Sequence, residues 1–158
     1  MIEAVDKQDQ EPECPDETWS QREIGCFKKF TSAGSTSDKA GATSLCQTEN
    51  SNARLPLLRS ETDYLEFVAV MQLMGYHDQE IWIDGTLYQH DKTWRYDNRQ
   101  QCIIHYINWD NQQPNSPDSQ FGLVIVNADG AVHDKEDTYS ANIICHIPRD
   151  ETCSKTTI

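Results

Sequence analysis

Positive charge is scarce in this sequence: thirteen Lys and Arg stand against twenty-six Asp and Glu over 158 residues, a formal net charge of −13 at pH 7. Nucleic acid and anionic membrane surfaces need a basic face, so neither is expected as the main partner. Glycine is scarce too, at seven, and no Gly-rich phosphate loop, G-x-S-x-G elbow or H-E-x-x-H helix occurs. The expectation is a protein that does no covalent chemistry. Apolar runs are short. The longest, Phe67 to Met74 and Leu123 to Val126, fall far below the ~18 residues of a membrane span, and none is expected. No C-x-x-C pair is present, which argues against a zinc ribbon or a thioredoxin-type redox site. No Asn-x-Ser/Thr acceptor for N-glycans occurs. The opening residues, MIEAVDKQDQEPE, are acidic and lack the apolar core of a signal peptide, so the chain is expected to be a mature form whose leader has been removed.

Against these absences stand six cysteines at 14, 26, 46, 102, 145 and 153, and four Trp, six Tyr and four Phe. The aromatics argue for a packed core despite a mean hydropathy of −0.73. An even cysteine count without metal spacing reads as three disulfides in an oxidising compartment, hence a secreted, extracellular protein. Six cysteines allow fifteen pairings, and counting does not choose among them. The chain divides into a flexible acidic arm at 1–13, one domain at 14–153 and a short tail at 154–158.

Two helices are legible. The first is expected at Ser37 to Gln47, capped by Ser37 or Asp38, with Ala40, Thr43, Leu45 and Cys46 inward. The second starts at the N-cap Ser60, with Glu61 and Asp63 in the first turn, where the helix dipole favours carboxylates. Leu65, Val68, Met71 and Leu73 form its expected inner face, and Gly75 its left-handed stop. Strands are expected at Ile81 to Ile83, Cys102 to Ile107, Gly122 to Val126, near Val132 and at Ala141 to Cys145, with a turn at 127–130. Residues 84–120 are rich in Asp, Asn, Gln and Pro and form a long loop anchored by Trp94 and Trp109; loops of that length are more often functional than idle. Two helices followed by antiparallel strands define an α+β class.

The order of residues resembles the long-form C-type lectin-like domain. Cys14-Pro and Trp19, then Cys26-Phe27, resemble its N-terminal hairpin. Ala42 with Cys46, Ala53-x-Leu55 and Ser60-Glu61 resemble its helical half. Trp82-Ile-Asp-Gly85 is similar to its W-I-G motif. Trp94, Asn108-Trp109 and Gln113-Pro114-Asn115 resemble its long loop, and Ile144-Cys145 its closing strand. The match spans roughly residues 14–147. The diffuse middle and acidic arm suggest an invertebrate member, with a nematode source as one reading. The resemblance implies a disulfide-stapled fold with Cys14–Cys26 and Cys46–Cys145 pairs. The second closes a loop of roughly 100 residues, for which chain entropy gives about 4.7 kcal/mol. The family's usual long-loop pair has no cysteines here, near Gln120 or Phe121 and Thr138 or Tyr139. Cys102 and Cys153 are left; pairing them is the simplest proposal, and free or partner-linked cysteines are the alternative.

The resemblance further implies a carbohydrate-binding protein whose calcium ion is held by a cis-proline triplet, a nearby acid and a strand pair. Those positions fall on Gln113-Pro114-Asn115, Asp118 and His133-Asp134. A cis Gln113–Pro114 bond would turn its two neighbours toward one ion. Calcium takes about six to eight oxygens. The set here offers two carboxylates, two amide oxygens and an imidazole, which is a poor ligand for a hard cation. The implied metal ligands are therefore Gln113, Asn115, Asp118 and Asp134, in a degenerate site with a Kd of ~10⁻⁴–10⁻³ M. The plainer reading is a polar turn beside a solvated acidic face. The alternative function is a calcium-independent protein-binding module of the same fold. An ice-binding surface forms a third class, and zinc would need a cluster assembled by the fold around His133 and Asp134. Trp19, Trp82, Trp94 and Trp109 are expected to be core residues or loop anchors rather than sugar-stacking platforms.

Overall fold

A computed structural model describes residues 14–30, 36–76, 79–97, 102–115, 121–126 and 130–151. The expected arm at 1–13 and tail at 154–158, together with Asp118, Cys153 and most of the turn at 127–130, lie outside the described residues.

The chain opens with a hairpin, β1 (Ser20–Arg22) and β2 (Gly25–Lys29). Gly25 has φ +135°, and a Cβ there would sit 2.2 Å from the Ile147 carbonyl, so the turn requires glycine. Strand β9 (Ile144–Pro148) lies antiparallel to β2, with Phe27 opposite His146. The hairpin and the last strand thus meet in one three-stranded sheet, β1-β2-β9. Cys14–Cys26 clips the hairpin, and Cys46–Cys145 ties the first helix to β9. Cys102 is also disulfide-bonded.

Helix α1 spans Lys39–Glu49 and is capped by Asp38, whose side chain accepts the Gly41 N–H at 2.8 Å. It starts and ends two residues later than expected, with Asp38, one of the two expected caps, at its N-terminus. Lys39, Ala42 and Cys46 face inward, and Ala40 is exposed. Helix α2, Glu61–Leu73, has the expected Ser60 cap. Its buried face is Asp63, Tyr64, Phe67, Val70 and Met71, while Leu65 and Leu73 are 63% and 72% exposed. The apolar residues nearly encircle this helix, so spacing alone found the buried Met71 but also picked the exposed Leu65 and Leu73. The aromatic pair Tyr64 and Phe67 buries more area and settles the rotation.

The larger sheet has the order β3-β8-β4-β6-β7, with β5 added to β4. Its members are β3 (Thr36–Ser37), β4 (Ile81–Tyr88), β5 (Thr93–Arg95), β6 (Gly122–Ile125), β7 (Val132–Lys135) and β8 (Ala141–Asn142). Pairing is antiparallel except between β4 and β8, which run parallel at Ile81 and Asn142. Strand β4 extends well past the expected Ile83, through a register shift at Gly85. The expected strand at Cys102 to Ile107 is absent. The segment lies on the outer edge of β5 with a single bridge, Ile103 to Arg95, the Ile104 N–H donating to Trp94 O at 2.8 Å and the Tyr96 N–H to Cys102 O at 2.9 Å. The expected strand at Ala141 to Cys145 splits at Ile143 into β8 and β9, each serving a different sheet. Trp82 and Trp19 are core, at 0% and 6% exposure, as the sequence implied. Among the described residues no helix is long and apolar enough to cross a membrane.

Candidate functional site

The segment 102–115 returns along the open edge of β7. Val132 N–H donates to the Asn108 carbonyl at 2.9 Å, and Asp110 N–H donates to the Val132 carbonyl at 3.0 Å. Asn108 Nδ2 donates to Gly130 O at 2.8 Å, and Trp109 pairs in parallel with Val132. These bonds clamp the loop to the first residues of β7. The chain then reverses: Gln113 N–H reaches back to Asp110 O at 3.1 Å, and Gln112 takes φ +66°. The Gln113–Pro114 bond is cis, as the resemblance implied.

Side chains alternate across a strand, and here that alternation sorts the expected residues. Asp134, buried at 1% exposure, accepts the Asn115 N–H at Oδ1 over 3.0 Å. Its own N–H points to Gln113 Oε1 at 3.4 Å. Gln113, Asn115 and Asp134 are therefore brought together around one turn. His133 is not part of that group: its Nε2 lies 2.9 Å from Asp110 Oδ2. Asp118 lies outside the described residues. The His133 contact, with the Asn111 N–H as a second partner, holds the Asp110 carboxyl below the usual carboxylate range.

Asp110 is the functional candidate that sequence reasoning missed. It follows the Asn108-Trp109 pair directly, but its partner stands 23 residues away, and only the β7 register brings the two together. Beside them opens a cavity of about 460 Å³, lined by Glu80, Asp110, His133, Ser140 and Asn142 among others. Glu80 accepts the Tyr139 hydroxyl, which pushes that phenol up to about 12, and lies 3.6 Å from Lys135 Nζ.

Calcium fits the described residues poorly. They supply one carboxylate and two carboxamides where about six to eight oxygens are needed. Asp134 already serves Asn115, and Gln113 Oε1 faces a backbone N–H. Among the described residues no three His, Cys, Asp or Glu side chains converge on a common point. His133 and Asp134 diverge, so they do not form the zinc pair either.

A disulfide-clipped α+β fold, with a loop turning through a cis proline against the edge of a β-sheet, defines the lectin-type class. The family model for the lectin C-type domain matches residues 35–147, and the chain belongs to that family. Solved structures agree on the fold. The mouse scavenger receptor C-type lectin carbohydrate-recognition domain superposes with a TM-score of 0.69 at 19% identity, over 88% of this chain and 99% of that one. Human lithostathine gives 0.71 at 16% identity, over 85% and 99%. A calcium-independent type II antifreeze protein gives 0.65 at 19%, over 84% and 92%. No curated protein matches by sequence.

Proposed function

We propose that this chain is a secreted recognition domain that binds carbohydrate where the 108–115 loop meets β7, and that it does no covalent chemistry. The convergence of Gln113, Asn115 and Asp134 carries the reading. Carboxamide and carboxylate groups at one turn suit a ligand whose hydroxyls both donate and accept. The net charge of −13 favours a neutral ligand over a polyanion. Two disulfides between described cysteines suit an extracellular setting. The carbohydrate-recognition domain among the structural neighbours supports the sugar reading by analogy of fold. With Asp118 added to Gln113, Asn115 and Asp134, a calcium site would still belong at the weak end, ~10⁻⁴–10⁻³ M.

A second reading, a calcium-independent protein-binding module, draws on a specific observation. His133 stands where the family places a ligand and is instead engaged by Asp110. The calcium-independent antifreeze neighbour is in keeping with this.

Calorimetric calcium titration to about 10 mM, melts with and without EDTA, and a glycan array in both conditions test the proposal. Asp134→Asn keeps an acceptor for Asn115 and removes the charge. The expected result is glycan binding that this variant weakens at least about tenfold. An array with no binding in either condition overturns the sugar reading and leaves the protein-binding one.

A further inference from the structure

The second pair of tryptophans differs from the first. Trp19 and Trp82 are buried, whereas Trp94 and Trp109 are only half-buried. One side of each of the latter packs on the core. The other side borders an open groove of about 380 Å³ between β5 and the 102–109 segment. Their ring centroids are 5.5 Å apart at 63°. Ile103, 41% exposed, and Ile107 complete the apolar wall, and Thr93 and His105 add polar groups. In a chain of net charge −13, no carboxylate is among the described residues that line this groove.

We propose that this groove is a second sugar subsite, in which the indoles of Trp94 and Trp109 receive the apolar face of a pyranose ring. The inference rests on the carbohydrate reading above and names a part of the surface that the reading does not use. The lining selects the occupant. Among the described lining residues a cationic ligand finds no carboxylate and an anionic one no lysine or arginine, which favours a neutral occupant. A pyranose presents a face of C–H groups to the indoles, and hydroxyls at its rim to the exposed His105. Continuity points the same way. Trp109 pairs with Val132, and Asp134, two residues on along the same face of β7, meets the turn at Gln113 and Asn115. A glycan of several residues held at Gln113 and Asn115 would run back toward the indoles.

The test titrates methyl α-mannoside, methyl β-galactoside, mannotetraose and galactotetraose into the full chain, followed by indole fluorescence, in calcium and in EDTA. One tetrasaccharide is expected to bind about tenfold tighter than its monosaccharide, with a shift in indole emission. Ile103→Arg projects from an exposed position into the groove and should leave the melting curve unchanged. It is expected to erase the gain for the tetrasaccharide and to spare the monosaccharide. Monosaccharide binding without a gain from chain length, or a gain that Ile103→Arg leaves intact, overturns the subsite while the carbohydrate reading stands. Absence of binding by all four sugars in both conditions overturns both.

Discussion

Two polar clusters in this domain use similar groups at similar distances and face opposite fates. In the first, Arg54 Nη2 lies 2.8 Å from Asp84 Oδ2, and Nη1 lies 2.8 Å from Glu151. Asp84 also accepts the Asp97 N–H at 3.1 Å, and Lys39 reaches Gly85 O, Thr86 and Asp97. Side-chain exposure is 11% for Arg54 and 3% for Asp84. In the second, His133 and Asp110 meet at 2.9 Å with exposures of 27% and 40%. The first cluster joins the start of α1, the segment before α2 and the middle of β4. Its members are committed to one another. The second lies beside a cavity with water in reach, so a ligand can compete for its groups. Between these two pairs, burial rather than the contact itself separates committed groups from groups that a ligand can reach.

The sharpest way to break this contrast is to remove one carboxylate from each cluster. Asp84→Ala leaves Arg54 with a buried charge beside an empty place. Equilibrium denaturation should show a loss of about 3–5 kcal/mol, and a loss under about 1 kcal/mol would place that cluster among ordinary surface pairs.

Acid comes next in size. His146 is buried, accepts the Leu57 N–H at Nδ1, faces Ile24 O through Nε2 and stacks on Phe27. Burial lowers it to about 3. The unfolded chain therefore binds the extra proton first, and stability present above pH ~6.5 is lost as pH falls toward 3. Asp84 acts in the opposite sense. Burial, opposed by Arg54, pushes it up to about 6, so the folded form takes its proton first and gains stability as pH falls from 6. Between pH 6 and 4 these two contributions nearly cancel in the native chain, so the discriminating comparison is with Asp84→Asn, which leaves the histidine to act alone. The melting temperature of that variant should fall more steeply from pH 6 to 4 than that of the native chain, and parallel profiles would refute the assignment.

The smallest effect on stability belongs to Asp110→Ala. The denaturation midpoint should stay within experimental error, while glycan or partner binding at the β7 edge weakens. A large loss of stability with intact binding would reverse the roles given to the two clusters.

The sequence carried the order of the fold because its punctuation is local. Ser60 caps α2, Gly75 ends it with φ +87°, and Trp82 marks the central strand. It failed where neighbours decide. Leu65 and Leu73 have the right spacing for a buried face, yet the sheet packs on Tyr64, Phe67 and Met71. The segment 102–107 has a β-like composition, yet it meets the edge of the short β5 at a single bridge and forms no strand. At the site, Gln113, Asn115 and Asp134 were legible through the family pattern, but Asp110 was not, since no local signal announces a partner across a sheet edge.

By itself, then, the sequence determined the class of protein, the two helices, two of its disulfides and the turn at Pro114. These follow from capping chemistry, hydrophobic spacing and a family pattern of cysteines and tryptophans. Only the tertiary structure decided which charges are sealed and which are offered. It set Asp84 and His146 in the interior, aimed His133 at Asp110, and left one side of Trp94 and Trp109 open. Exposure is a property of packing between distant segments, and no window of sequence contains it.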